Sequence, residues 1–214
     1  MTHGLEIYTD VLTPEACNTV IHLFNQDDRR APGMSTKHAD KVVSDSKIST
    51  DIMCNLLDDQ WQYYNQLIYP GVRTMVENIK QTYLFLDHCD YWRICPYYNI
   101  QYYGEGEGYF TPHCEQGNMY PERMLAWMIY LNTAKCGTEF PYQKIKVRAL
   151  QGQGAIWSAA WTHPHKGITP NIGDKYIVTG WCEYYTPDHI KDELLEEIPR
   201  ETTQWSSHPA IENQ

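Results

Sequence analysis

The sequence predicts an α+β fold that is mainly β, with helical support over about residues 10–83 and a β core over about 84–186. Three observations lead there. Aromatic residues make up 13 % of the chain, with 17 Tyr and 7 Trp, a composition suited to broad sheet faces. Before residue 84 two stretches carry apolar residues at helical spacing. Beyond it, short apolar or alternating segments are separated by Gly, Pro, Asn and Asp turns, the pattern of a sandwich or barrel.

At 214 residues the chain is long enough to bury a sizeable core without staples, and residues 1–200 read as one domain followed by a tail, 201–214. The net charge of −10 and the lack of a long Lys/Arg cluster argue against nucleic acid as a partner. No run of 18 apolar residues occurs, and the start Met1-Thr2-His3-Gly4-Leu5-Glu6 lacks a basic and apolar leader, so a soluble cytoplasmic protein without membrane contact is expected. The seven cysteines are scattered without a Cys-x-x-Cys spacing, which fits free thiols in a reducing compartment.

In order, Leu5–Thr9 alternates as a strand. A helix follows, with Thr13 as N-cap, Pro14 in the first turn and Cys17, Val20, Ile21 and Phe24 on one face, ending near Gln26. Residues 27–47 are polar and read as a loop with one short strand, either a solvated connector or a flap over a site. Thr50 or Asp51 caps a helix running toward Leu67, with Ile52, Leu56, Tyr63 and Leu67 sharing a face; Pro70-Gly71 interrupts it before a second helical run, 72–83. The candidate strands of the core are 92–102, 108–113, 124–131, 145–149, 154–157 and 175–184. Pro187-Asp188-His189-Ile190 opens a short helix through Ile198.

Chemistry concentrates between Tyr103 and Trp181. A His and a carboxylate two residues apart, followed by a distant second His, can gather two imidazoles and one carboxylate on one face of a metal and leave other positions open. With 9 His and 27 acidic residues, about one His-x-Asp/Glu triplet is expected by chance. Three occur. His38-Ala39-Asp40 lies in a polar loop, and His88-Cys89-Asp90 ends the helical region without a glycine-rich approach. His113-Cys114-Glu115 follows the glycine-rich aromatic run Gly106-Glu107-Gly108-Tyr109-Phe110, with His165 52 positions on and Lys175 ten beyond that. His163, two residues from His165, is its rival.

These residues resemble the core of the Fe(II)- and 2-oxoglutarate-dependent dioxygenases, in particular the prolyl 4-hydroxylase-like branch with its small viral and bacterial members. The likeness rests on Gln101 and Tyr103, His113 and Glu115, Arg123, Tyr130-Leu131-Asn132, Gly137-Thr138-Glu139-Phe140, His165-Lys166-Gly167, Lys175 and Trp181, and covers residues 99–185. It implies a double-stranded β-helix, or jelly roll, buttressed by N-terminal helices. It implies Fe(II) held by His113, Glu115 and His165, with 2-oxoglutarate and O2 as co-substrates and ascorbate as an auxiliary reductant. Lys175 then holds the far carboxylate of 2-oxoglutarate, and Tyr103 is a candidate donor to the same group. The implied reaction is hydroxylation of a prolyl residue in a peptide or protein. Other readings are a free amino acid substrate, a jelly-roll binding protein without turnover, and a cupin-like metalloenzyme that uses no 2-oxoglutarate.

Two positions depart from the pattern. Glu115 stands where the family usually has Asp, and Lys135-Cys136-Gly137 replaces a double glycine. Arg123 suits a strand start as well as a site, and Trp127, Tyr130, Trp157, Trp161 and Trp181 suit a core better than a binding surface.

Overall fold

In a computed structural model, residues 4–34 and 46–187 are described. In chain order they form β1 (Leu5–Tyr8), α1 (Pro14–Gln26), β2 (Ala31–Pro32), β3 (Lys47–Ile48), β4 (Thr50–Asn55), α2 (Gln62–Thr82), β5 (Trp92–Tyr103), β6 (Gly108–Tyr109), β7 (Arg123–Tyr130), β8 (Gly137–Phe140), β9 (Ile145–Arg148), β10 (Gly154–Ser158), β11 (Lys166–Ile168) and β12 (Lys175–Tyr184). Short 3-10 turns at Asp59–Trp61 and Leu84–His88 flank α2.

A seven-stranded sheet runs β1-β10-β7-β12-β5-β4-β2, a three-stranded sheet β11-β8-β9 faces it, and β3 pairs with β6 as a separate ribbon. The strand pairings are antiparallel. The architecture is a jelly roll with helices against one face, as the sequence predicts. Strand β7 shows why the core is double. Its Leu125, Trp127 and Ile129 pack with Phe24 of α1 and Ile68, Val72 and Met75 of α2. Its Ala126, Met128 and Tyr130 point the other way, toward Phe140, Val147 and Trp157 between the sheets. A strand covered on both faces reads as an unbroken apolar run.

Helix α1 begins as its caps dictate: the Ala16 N–H donates to Thr13 Oγ1 at 3.2 Å, and Cys17, Val20 and Phe24 are buried. The helix expected from residue 51 to 67 begins instead as strand β4, and only residues 62–67 are helical, as the start of α2. Ile52 and Cys54 are buried while Met53 is 64 % exposed, an alternation that pairing with β5 enforces. Over so few residues, period 2 and period 3.6 both fit the apolar positions. Nor does Pro70-Gly71 break a helix, since α2 runs through it. Pro70 faces solvent, where its missing N–H leaves a carbonyl that water can serve. Gly71 lets the helix cross close over the turn before α1, since a Cβ there would lie 2.7 Å from the Val11 carbonyl oxygen. The buried stripe is Tyr64, Ile68, Val72, Met75, Val76 and Ile79, not Tyr63, which is 76 % exposed.

The expected strands 92–102, 124–131, 145–149, 154–157 and 175–184 form with ends shifted by at most one residue. The 108–113 strand is only two residues long, followed by an isolated bridge at His113. Strands β8 and β11 were not foreseen. The helix expected from Pro187, the tail, and residues 35–45 of the polar loop lie outside the described residues. Among the described residues no helix is long and apolar enough to cross a membrane, and no cysteine is in a disulfide.

Candidate active site

His113 and His165 are joined through their backbones. Each N–H donates to the other's carbonyl at 2.9 Å, so two residues far apart in sequence present their rings side by side, with centroids 4.4 Å apart. The rings are oriented alike. His113 Nδ1 lies 3.1 Å from the Thr111 carbonyl oxygen and His165 Nδ1 lies 3.1 Å from that of His163. A carbonyl only accepts, so both Nδ1 atoms carry the proton and both Nε2 atoms present a lone pair. Tyr109 stacks on His113 at 3.7 Å and 13°. Phe140 and Trp157 enclose the His165 ring.

Glu115 Oε1 lies 3.5 Å from His113 Nε2 and 3.2 Å from His165 Nε2. Two lone pairs and a carboxylate oxygen, turned on one another in a nearly buried space, repel unless a cation lies between them. The three ligand atoms all lie within 4.8 Å of one another, a set that could hold a metal ion. The protonation states agree. Burial lowers the His113 pKa, against the opposing pull of Glu115, which favours the neutral imidazole. Burial alone would push Glu115 up, and only positive charge at the imidazole nitrogens, carried by protons or by a cation in their place, holds it well below the usual carboxylate range. Donor types and geometry therefore fit a divalent ion such as Fe(II).

The extra methylene of Glu115 is accommodated by its second oxygen. Trp181 Nε1 donates to Oε2 at 2.8 Å, and Arg123 Nη1 lies 3.3 Å from the same atom. The Arg123 guanidinium is itself sandwiched between the Tyr120 and Trp181 rings, at 3.8 and 3.6 Å. One oxygen is thus clamped while the other faces the imidazoles. Arg123, which the sequence leaves open between a strand start and a site, and Trp181, which it reads as core, both act on the carboxylate.

Lys175 is 2 % exposed and lies opposite Tyr103 across the β12–β5 pairing. Its Nζ sits 4.4 Å from the centre of the Tyr103 ring, and it has no hydrogen-bond or ion-pair partner among the described residues. Burial pushes its pKa down to about 8. A buried ammonium without a counter-charge is costly, and it marks a place prepared for an anion. The Tyr103 hydroxyl donates to Gln101 Oε1 at 3.1 Å. Its ring packs against Lys175. A Cβ at Gly167 would lie 3.5 Å from Lys175 Nζ and 3.3 Å from the Tyr109 backbone nitrogen, so the glycine after His165 keeps this space clear. Asn132 fixes where β12 starts: its Nδ2 donates to the Asp174 carbonyl, and its Oδ1 accepts from the Tyr176 N–H, each at 2.8 Å. In the turn that lacks the double glycine, Gly137 is the position that matters, because a Cβ there would overlap the Val147 carbonyl oxygen.

The structure separates the two candidate histidines. The His163 ring bonds to Thr162 Oγ1 at 2.9 Å and packs by Gly4, apart from the cluster, while its carbonyl orients His165. His88 lies in the turn after α2 with its ring against Phe85, outside the cluster. His38 and Asp40 lie outside the described residues.

Residues 98–183 match the sequence model of the 2OG-Fe(II) oxygenase superfamily. This segment belongs to that superfamily. His113, Glu115, His165, Lys175 and Tyr103 all fall within it, and its name carries Fe(II) and 2-oxoglutarate. No curated protein matches the chain. Among solved structures, the chain resembles a Pseudomonas putida prolyl-4-hydroxylase with a TM-score of 0.64 at 16 % identity, over 85 % of this chain and 94 % of that one. A Trichoplax adhaerens prolyl hydroxylase, solved with a hypoxia inducible factor oxygen degradation domain peptide, gives 0.63 at 16 %, over 90 % and 87 %. A viral collagen prolyl hydroxylase of Paramecium Bursaria Chlorella virus-1, solved with 2OG, gives 0.57 at 15 %, over 86 % and 97 %. At these identities the likeness concerns the fold.

Proposed function

We propose that this protein is an Fe(II)- and 2-oxoglutarate-dependent dioxygenase that hydroxylates a prolyl residue in a peptide or protein, with residues 1–200 acting as one oxygenase domain. The observation that carries the reading is the convergence of two deprotonated imidazole nitrogens on one oxygen of Glu115, together with a buried ammonium at Lys175 that has no ion-pair partner among the described residues. His113, Glu115 and His165 would hold Fe(II), and Lys175 would hold the far carboxylate of 2-oxoglutarate as a point charge. When bound, Fe(II) and 2-oxoglutarate supply, with O2, oxidative decarboxylation to succinate and CO2 coupled to hydroxylation of a C–H bond.

The protein's own residues do the rest. Thr111 and His163 keep the proton on Nδ1 of each imidazole and leave Nε2 for the metal. Trp181 and Arg123 hold the carboxylate in one orientation. Phe140, Trp157 and Tyr109 wall off water around the imidazoles. The prolyl substrate is supported by the names of the three similar structures, and the disulfide-free cysteines support a reducing, cytoplasmic setting.

Purified protein given Fe(II), ascorbate and 2-oxoglutarate, with a library of proline-containing peptides, is expected to form succinate and to add one oxygen atom to a peptide. Mass spectrometry reads both products. Succinate without peptide modification would move the substrate to a free amino acid or another small molecule. No succinate above a His113→Ala control, together with no 2-oxoglutarate binding, would remove the dioxygenase reading.

A further inference from the structure

Lys47 is a buried cation that the site as described does not use. It is 8 % exposed, and its Nζ lies 2.6 Å from Asp51 Oδ2. The carboxylate is also held by Ser49 Oγ, which donates to Oδ1 at 2.7 Å, and by Gln101 Nε2, which donates to Oδ2 at 3.0 Å. Gly33 permits this convergence: its N–H donates to the Ser49 carbonyl at 2.8 Å, and a Cβ would run into Ser49 Oγ and the Asp51 carboxylate. A buried ion pair adds little net stability, because desolvation offsets the attraction, yet removing one partner strands the other charge. Such a pair is suited to fixing the register of a segment that little else holds.

Among the described residues, strand β3 is such a segment. It is two residues long and pairs with the two residues of β6, Lys47 opposite Tyr109 and Ile48 opposite Gly108. One further backbone bond, from the Phe110 N–H to the Ser46 carbonyl at 2.8 Å, extends the ribbon. Ile48 is 48 % exposed, so apolar burial is a weak anchor. On the other side of the ribbon, Tyr109 lays its ring on His113. The acceptor end of the network reaches the surroundings of Lys175, since Gln101, bonded to Asp51, also accepts from Tyr103, whose ring meets Lys175.

We infer that Lys47 is a positioning residue: clamped to Asp51, it holds β3, and through β6 it seats Tyr109 against His113 and fixes the direction of that imidazole. The inference rests on the reading of His113 as a metal ligand. The ribbon, the His113 ring and the wall behind Lys175 then share one anchor on β4.

The test uses the full chain with Lys47→Met and Lys47→Arg. Amide hydrogen exchange of peptides spanning 106–110 is measured in metal-free protein, and Co(II) is titrated while its visible bands are followed. Lys47→Met is expected to raise exchange in 106–110 by about tenfold while α2 keeps its protection. It should also weaken Co(II) binding by about tenfold and shift the bands. Lys47→Arg, which keeps the charge pair, should leave both readouts within about twofold. If Lys47→Met does not fold, Asp51→Asn, which keeps the volume and removes the charge, is read the same way. Unchanged exchange and bands in the Met variant, protection lost evenly across α2 and β6, or an Arg variant as damaged as the Met one would each overturn the inference. If the unaltered protein takes up no Co(II), the metal reading fails and the Lys47 anchor is judged on the exchange data alone.

Discussion

Replacing Lys175 by Met should stabilise the ligand-free protein and abolish its response to 2-oxoglutarate. The ammonium is 2 % exposed and without a counter-charge among the described residues, and burial lowers its pKa from 10.5 to about 8. A difference of that size corresponds to about 3 kcal/mol against the folded state at neutral pH. The sign follows from proton counting. The unfolded chain keeps the proton more firmly, so the penalty is fully present below pH 8, shrinks as pH rises through the interval up to 10.5, and is absent above it. Methionine keeps the volume and removes the charge, but gives up the contact with the Tyr103 ring, worth about 1 kcal/mol. The net gain is about 2 kcal/mol near neutral pH, or about 4–8 °C in Tm for a domain of this size. Saturating 2-oxoglutarate should raise the unaltered protein by about 3 kcal/mol at a hundredfold excess over Kd and leave the variant where it was. Thermal melts with and without 2-oxoglutarate, in the presence of a redox-inert divalent metal, give all four values. A variant less stable than the parent without ligand, or one that 2-oxoglutarate still stabilises, would refute the picture of a destabilising cation held for an anion.

Three other outcomes follow from the site. His165→Ala should lose metal binding, measured by Co(II) titration, whereas His163→Ala keeps it within about tenfold, since only its carbonyl serves the cluster. Trp181→Phe removes the donor to Glu115 Oε2 but keeps the aromatic face over Arg123; it should weaken metal affinity by about tenfold with little change in fold, read by the same titration beside circular dichroism. Gly137→Ala forces a methyl group against the Val147 carbonyl and should destabilise by about 2 kcal/mol or more in urea unfolding.

The candidate cluster was legible in part because some of its spacings obey short-range rules. A strand or loop that carries His-x-Glu presents both groups to one side, and the His165–Lys175 spacing spans one turn between β11 and β12. Those relations survive without knowledge of the rest of the chain. What was hidden depends on pairings that no local stretch reveals. Residues 50–55 carry a good helix cap and apolar positions compatible with either period; the decision belongs to Tyr97–Tyr102, which β4 pairs with. Gly71 reads as a breaker until the Val11 carbonyl is seen beneath it. Trp181 and Arg123 are residue types at home in any sheet, and only the antiparallel arrangement of β7 and β12 brings both to one oxygen of Glu115. Strands β8 and β11, short and glycine-bearing, have no periodicity to read.

The reciprocal backbone bonds between His113 and His165 also bear on assembly. Because these bonds join residues far apart in sequence, the His113–Glu115 half and the His165 half of the candidate cluster are not brought together in a partly folded chain. The cluster closes only when the stretch after β6 meets the turn before β11, which requires the intervening strands to be in register. Uptake of a coloured ion during refolding should therefore coincide with the last cooperative step, so that the protein carries a built-in reporter of its own completion.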